Sequence, residues 1–124
     1  MATLDQQRAA LAFEDVRKVA AMSSEEEQKK YASLVHKLPA LLRSAGLSQA
    51  LHFVLTRKDG GVLLLSHFAK QLQRVDSGIK NAETLLDTVR KAELPVYLHL
   101  TREALACAAW YRRFVQGELK AEAG

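Results

Sequence analysis

Scarcities narrow the nature of this chain first. One cysteine in 124 residues, Cys107, excludes an internal disulfide and fits a reducing compartment. Gly and Pro together supply 8 residues against 39 of Leu and Ala, a balance of helix formers over chain breakers that excludes an all-β fold. Aromatic residues are 6% of the chain, which leaves few platforms for stacking the bases of a single strand. No stretch approaches the roughly 18 apolar residues of a membrane span. The start, MATLDQQR, lacks the basic segment and apolar stretch of an export signal. A soluble, cytoplasmic chain with no membrane partner is therefore expected. Charge of one sign does not dominate either: 18 Lys and Arg against 14 Asp and Glu leave +4, which permits attraction to phosphates without demanding it. At 48% hydrophobic residues the chain is too apolar to be disordered, and it has no low-complexity tract to act as a linker.

What is present is helical periodicity. The length of 124 residues suits one domain over 1–124, an all-α, compact single-domain bundle of about five to six helices. In residues 4 to 21, Ala9, Ala12, Phe13, Val16 and Ala20 fall in one arc, predicting a first helix with that arc toward the core. Leu4, Leu11 and Met22 lie on its other side among Arg8, Asp15 and Lys18, and mark either a second contact surface or the cover of a neighbouring helix. Ser24 before Glu25, Glu26 and Glu27 is a capping-box start, and Tyr31, Leu34, Val35 and Leu38 form the apolar stripe that follows. Pro39 cannot bond the Val35 carbonyl, so this second helix either kinks or restarts before Gly46 stops it.

Leu47, Ala50, Leu51, Val54 and Leu55 predict a third helix ending near Arg57, and Val62, Leu65, Phe68, Ala69 and Leu72 a fourth. Lys58-Asp59-Gly60-Gly61 is read as the turn between them, and neither flanking run alternates as a hairpin would require. Asn81 is placed to cap a short fifth helix carrying Leu85, Leu86 and Val89, which Leu94-Pro95 is expected to end. Thr101 is the predicted N-cap of the last and longest helix, reaching about Leu119 after a short Val96 to Leu100 segment. Ala104, Ala106, Cys107, Ala108, Trp110, Tyr111, Phe114 and Val115 give it a broad apolar arc of about 200°.

A search for reactive chemistry finds little. His99, Glu103 and Cys107 stand at i, i+4 and i+8, but a helix capped at Thr101 leaves His99 outside it, and Cys107 among Ala and Trp reads as a small core residue. His36, His52 and His67 are isolated, and paired catalytic carboxylates, a nucleophile elbow, a Walker loop and a dinucleotide fingerprint are absent. No catalytic residue, no metal and no cofactor is expected, and an enzyme is the minor reading.

Basic residues carry more. They fall in adjacent pairs at 17/18, 29/30, 57/58, 90/91 and 112/113. Arg102 and Arg113, eleven residues apart, share a helix stripe about 16 Å long with Arg112 and Gln116 beside it, predicted to lie opposite Trp110 and Phe114. Guanidinium groups match phosphate oxygens bidentately, so such a row can track a nucleic-acid backbone without reading bases. The same row serves equally as a solvated helix face.

Particular strings go further: LDQQR near the start, YASLVHKLP, SAGLSQALHF, and TREALACAAWYRRF near the end. Together they resemble the small subunit of the type III-B CRISPR effector, the Cmr complex of the RAMP module. The resemblance covers about residues 4 to 57 and 97 to 120, with departures at Ala45, where the family often has Asn, and at the short Lys58 to Gly61 connection. It implies an all-helical, non-catalytic subunit of antiviral defence, stacked in a few copies. Its implied partners are a large polymerase-like subunit, the backbone RAMP subunits, other copies of itself, and guide and target RNA. Carried over by position, Arg8, Arg17, Lys37, Arg57, Arg102, Arg112 and Arg113 are the expected RNA-binding residues, with Arg8 and Arg113 equally able to pair with Asp5, Asp15 or Glu103. The competing expectation is a protein-only helical adaptor without direct RNA contact; a metal-dependent helical-bundle enzyme is a third.

Overall fold

The computed structural model describes residues 2–119. Among these, six helices follow one another: α1 (Leu4–Met22), α2 (Glu25–Ala45), α3 (Leu47–Thr56), α4 (Lys58–Leu72), α5 (Ala82–Lys91) and α6 (Leu94–Glu118), with no strand. The all-α bundle expected from composition is what forms. Local chemistry sets most boundaries. Thr3 with Gln6, Ser24 with Glu27 and Asn81 with Thr84 each close a reciprocal capping box, bonding two N–H groups that the first turn leaves free. α2 neither stops nor restarts at Pro39 but runs through it to Ala45. Gly46 then takes φ +87°, a backbone that side chains resist, and turns the chain into α3.

The Gly-rich turn forms where expected and leads directly into the body of the fourth helix. Asp59 has ψ 110° and Gly60 φ +87°, so Lys58 to Gly60 bends before the helix settles at Gly61. Both glycines are needed by close approach: a Cβ on Gly60 would come within 3.0 Å of the Tyr31 backbone, and one on Gly61 would overlap the Val54 carbonyl oxygen. The bend thereby presses α4 onto both α2 and α3.

The last helix departs from expectation. It begins at Leu94, not after a Thr101 cap, because Pro95 sits in the first turn, where its fixed φ suits the helix and its missing N–H costs nothing. Thr101 lies mid-helix, its hydroxyl donating to the Tyr97 carbonyl at 2.8 Å. The added turns reach α3, whose Gly46 cap offers no side chain; the Tyr97 hydroxyl accepts the Ser48 N–H at 3.0 Å instead.

α6 packs against α1, α2 and α4, while α2 also covers α3 and α4. One continuous apolar cluster runs through all six helices, with Tyr31, Leu38, Leu51, Phe68, Leu72, Leu100 and Tyr111 fully enclosed. Four positions lie elsewhere than the periodicity implied, one of them Leu55, 41% exposed. Phe13 is 39% exposed and Val62 stands in solvent, whereas Asp15, assigned to the outer side of α1, is completely buried. A single arc cannot show which of its edges a neighbour covers. Of the apolar residues on that outer side, Leu4 and Met22 remain exposed and Leu11 is half-buried.

Candidate nucleic-acid interface

Arg102, Arg112 and Arg113 lie on one uninterrupted helix, α6. All three are exposed, and none forms an ion pair among the described residues. The arginine stripe is not opposite Trp110, which lies only about 60° around the helix from Arg113. Trp110 and Phe114 are half-buried at the margin of the core face, stacked on each other with centroids 5.6 Å apart.

Two grooves border α2. Between α2 and the α3–α4 bend, a groove of about 510 Å³ is lined by Lys30, Ser33, Lys37, Arg57, Lys58 and Asp59. Asp59 is its only carboxylate among the described residues and is bound to Lys30 at 2.9 Å, which leaves Lys37, Arg57 and Lys58 uncompensated there. Arg57 is steadied over the Phe53 ring at 4.7 Å. Between α2 and α6, a second groove of about 270 Å³ is lined by Pro39, Arg43, Arg112, Arg113 and Gln116. His36 lies beneath this side of α2, with both ring nitrogens buried and unpartnered among the described residues. Burial first, and the Arg112 charge second, hold its pKa below the usual histidine value.

Arg8 has a different setting. Its guanidinium is 16% exposed and grips Glu103 with two bonds, Nε at 2.6 Å and Nη2 at 2.7 Å, and Asp5 through Nη1 at 3.2 Å. Glu103 also binds Arg74 at 3.1 Å, and the Arg8 bond is the main reason its pKa lies below the usual carboxylate range. Beside this cluster, Asp15 accepts from the Tyr111 hydroxyl at 2.6 Å and from Lys70 at 2.5 Å. The His67 Nδ1 lies 2.8 Å from the Tyr31 hydroxyl, and its Nε2 faces Asp15 at 3.9 Å. Burial holds His67 down to about 4, so it is neutral, with Tyr31 donating to Nδ1.

Arg17 is 62% exposed, 3.9 Å from Glu118 and 5.7 Å from the Phe13 ring centre, on the α1–α6 seam apart from both grooves. His99, Glu103 and Cys107 do share α6. Yet His99 faces solvent and Glu103 is held by two arginines, while burial pushes the Cys107 thiol up to about 12. No group of three or more His, Cys, Asp or Glu is placed to hold a metal among the described residues.

The structure thus gathers Lys37 with Arg57, and Arg112 with Arg113, on opposite flanks of one helix. It adds Lys30 and Lys58, which belong to the adjacent pairs but not to the set carried over by resemblance, and Arg43, which belongs to no pair. A signal was available: residues 28 to 58 carry six Lys or Arg and no Asp or Glu, and residues 104 to 117 carry Arg112 and Arg113, again without an acid. Folding brings these acid-free runs together.

Comparison with known proteins agrees with this architecture. Residues 4–118 match the family model of the CRISPR-associated protein Cas_Cmr5. The CRISPR system Cmr subunit Cmr5 of Thermus thermophilus is 42% identical over 117 residues, which is 94% of this chain and 96% of that protein. The crystal structure of a CRISPR-associated Cmr5 family protein, also from Thermus thermophilus, superposes with a TM-score of 0.82 at 39% identity, covering 96% of this chain and all of the other.

Proposed function

Since the chain belongs to the Cas_Cmr5 family and is a subunit of a Cmr (type III-B) CRISPR system, we propose that it is a non-catalytic part which holds RNA by its backbone. It acts in the cytoplasm as one helical domain over residues 1–124, in a few stacked copies beside the other Cmr subunits. Guide or target RNA lies along α2, with Lys37 and Arg57 on one side and Arg112 and Arg113 on the other; Arg102 and Arg17 extend the positive field. Arg8 is left to its carboxylates. The observation that carries this reading is the acid-poor pair of grooves flanking α2. In an RNA-guided complex, base pairing supplies sequence selection, so a subunit need only neutralise phosphates from a rigid frame.

A protein-only adaptor is the second reading. It is favoured by Leu94, Val96 and Leu98, which stand 67%, 41% and 46% exposed in the first turns of α6. Salt titration separates the two. Binding of a labelled single-stranded RNA, followed by fluorescence anisotropy, should weaken with salt, and Arg112→Ala with Arg113→Ala should flatten the log–log slope by roughly 1.4, about 0.7 per lost phosphate contact. The same double variant should lower target-RNA retention by the assembled effector. Unchanged slope and retention would leave the adaptor.

A further inference from the structure

Trp110 is the sole tryptophan of the chain, and its surroundings are not those of a core residue. Phe114 stacks along one face at an interplanar angle of 21°, and Phe13 closes edge-on against Phe114 with centroids 5.3 Å apart. The indole N–H donates to Asp5 across the α1–α6 seam at 3.0 Å, which fixes the ring plane. The indole also borders an open shelf of about 440 Å³, lined by Asp5, Ala106, Ala109, Trp110 and Arg113. Alanine methyls floor this shelf, so nothing among the described residues covers the space beside the ring.

We propose that this shelf is a docking place for one unpaired nucleobase of an RNA strand, stacked on Trp110 with the adjoining phosphate on Arg113. The proposal rests on the reading that the chain holds RNA. An aromatic face fixed by a hydrogen bond and a second ring loses little freedom when a base lands on it, and stacking accepts any base. The Asp5 charge is offset by Arg8 at 3.2 Å, in a cluster where Arg8 and Arg74 balance Asp5 and Glu103. The remaining lone pairs of Asp5 can accept from an exocyclic amine. Arg113 lines both this shelf and the α2–α6 groove, so a strand followed along that groove reaches Trp110 without a detour. A protein side chain is the poorer occupant: the shelf is open and lined by two alanines beside the ring, and Arg113 at its edge offers a phosphate two hydrogen bonds.

The single indole reports on the test directly. The full chain at low salt is titrated with oligoadenylate RNA and with an abasic ribose-phosphate of equal length, reading anisotropy and tryptophan fluorescence together. Oligoadenylate should quench the fluorescence and the abasic strand should bind without quenching. Ala106→Leu fills the shelf while keeping Trp110 and its partners, so it should lower oligoadenylate affinity about tenfold, abolish quenching and leave the salt slope alone. Binding of oligoadenylate without quenching overturns the base site and leaves the backbone reading standing. An Ala106→Leu chain that still shows full quenching but fails to join the other Cmr subunits overturns it in favour of a protein contact. Absence of any RNA binding removes the backbone reading and this site together.

Discussion

Two arginine-rich regions meet at α6, and they differ in what faces them. At the α1–α4–α6 seam, Arg8 and Arg74 converge on Glu103, which is 3% exposed, next to the enclosed Asp15 with Lys70, Tyr111 and His67. Along α2, Arg43, Arg112 and Arg113 line a groove with no carboxylate on it among the described residues. The first set is committed to the fold, because each buried charge has a partner whose removal strands it. The second remains available to an outside anion. One residue type therefore serves stability or binding according to the burial of the nearest acid, and sequence position does not show which.

The contrast is tested most forcefully at its buried side. Glu103→Ala leaves Arg74 without a carboxylate and Arg8 with Asp5 alone, and should cost about 3 kcal/mol, read as a lower urea midpoint with unchanged slope. Equal stability to the parent chain would show that the seam is not an ionic clamp. Acid acts on the same region. His67 is neutral when folded, with its value lowered to about 4 from the ordinary 6.5, so protonation favours the unfolded chain between those limits. Stability should then fall with falling pH through that window, by about 1.4 kcal/mol per pH unit at most. His67→Phe should flatten this dependence, while Glu103, with its lowered pKa, adds a further loss only as pH falls below 4.5. A flat profile from pH 6.5 to 4 would contradict the buried neutral imidazole.

On the other flank of α2 stands the α3–α4 bend that carries Arg57 and Lys58. Gly61→Ala forces a methyl toward the Val54 carbonyl and should cost about 1–3 kcal/mol in thermal or urea unfolding. It should also disturb RNA binding, since the bend shapes the groove with Lys37. The smallest stability effect belongs to the open side: Arg112→Ala with Arg113→Ala should move stability by no more than about 0.5 kcal/mol while weakening RNA binding. A large stability loss there would mean these arginines also belong to the fold.

Much of the fold was legible along the chain. Ser24 and Asn81 were recognisable caps, Gly46 a recognisable stop, and the apolar stripes of α2 to α5 fall largely where periodicity put them. Pro39 left two outcomes open because a helix held by neighbours on both sides tolerates one lost hydrogen bond. Pro95 misled for a related reason: the same residue ends a helix or begins one, depending on whether the segment after it finds a surface. Here Tyr97 finds the uncapped start of α3. The candidate interface was legible in part. Lys37, Arg57, Arg112 and Arg113 were visible as motif cations, but Arg43 has no basic neighbour in sequence and becomes conspicuous only across the groove from α6.

The order of residues is enough to make the chain helical, to place most helix starts, and to collect positive charge in stretches without acids. These follow from hydrogen bonds and side-chain periodicities spanning three or four residues. Packing settled the rest: that Asp15 is enclosed, that Arg8 is held by a glutamate 95 positions away, and that two distant basic segments flank a single helix. The free energy of a charge depends on the water and the counter-charges around it, and both are set by elements that meet only when the helices assemble.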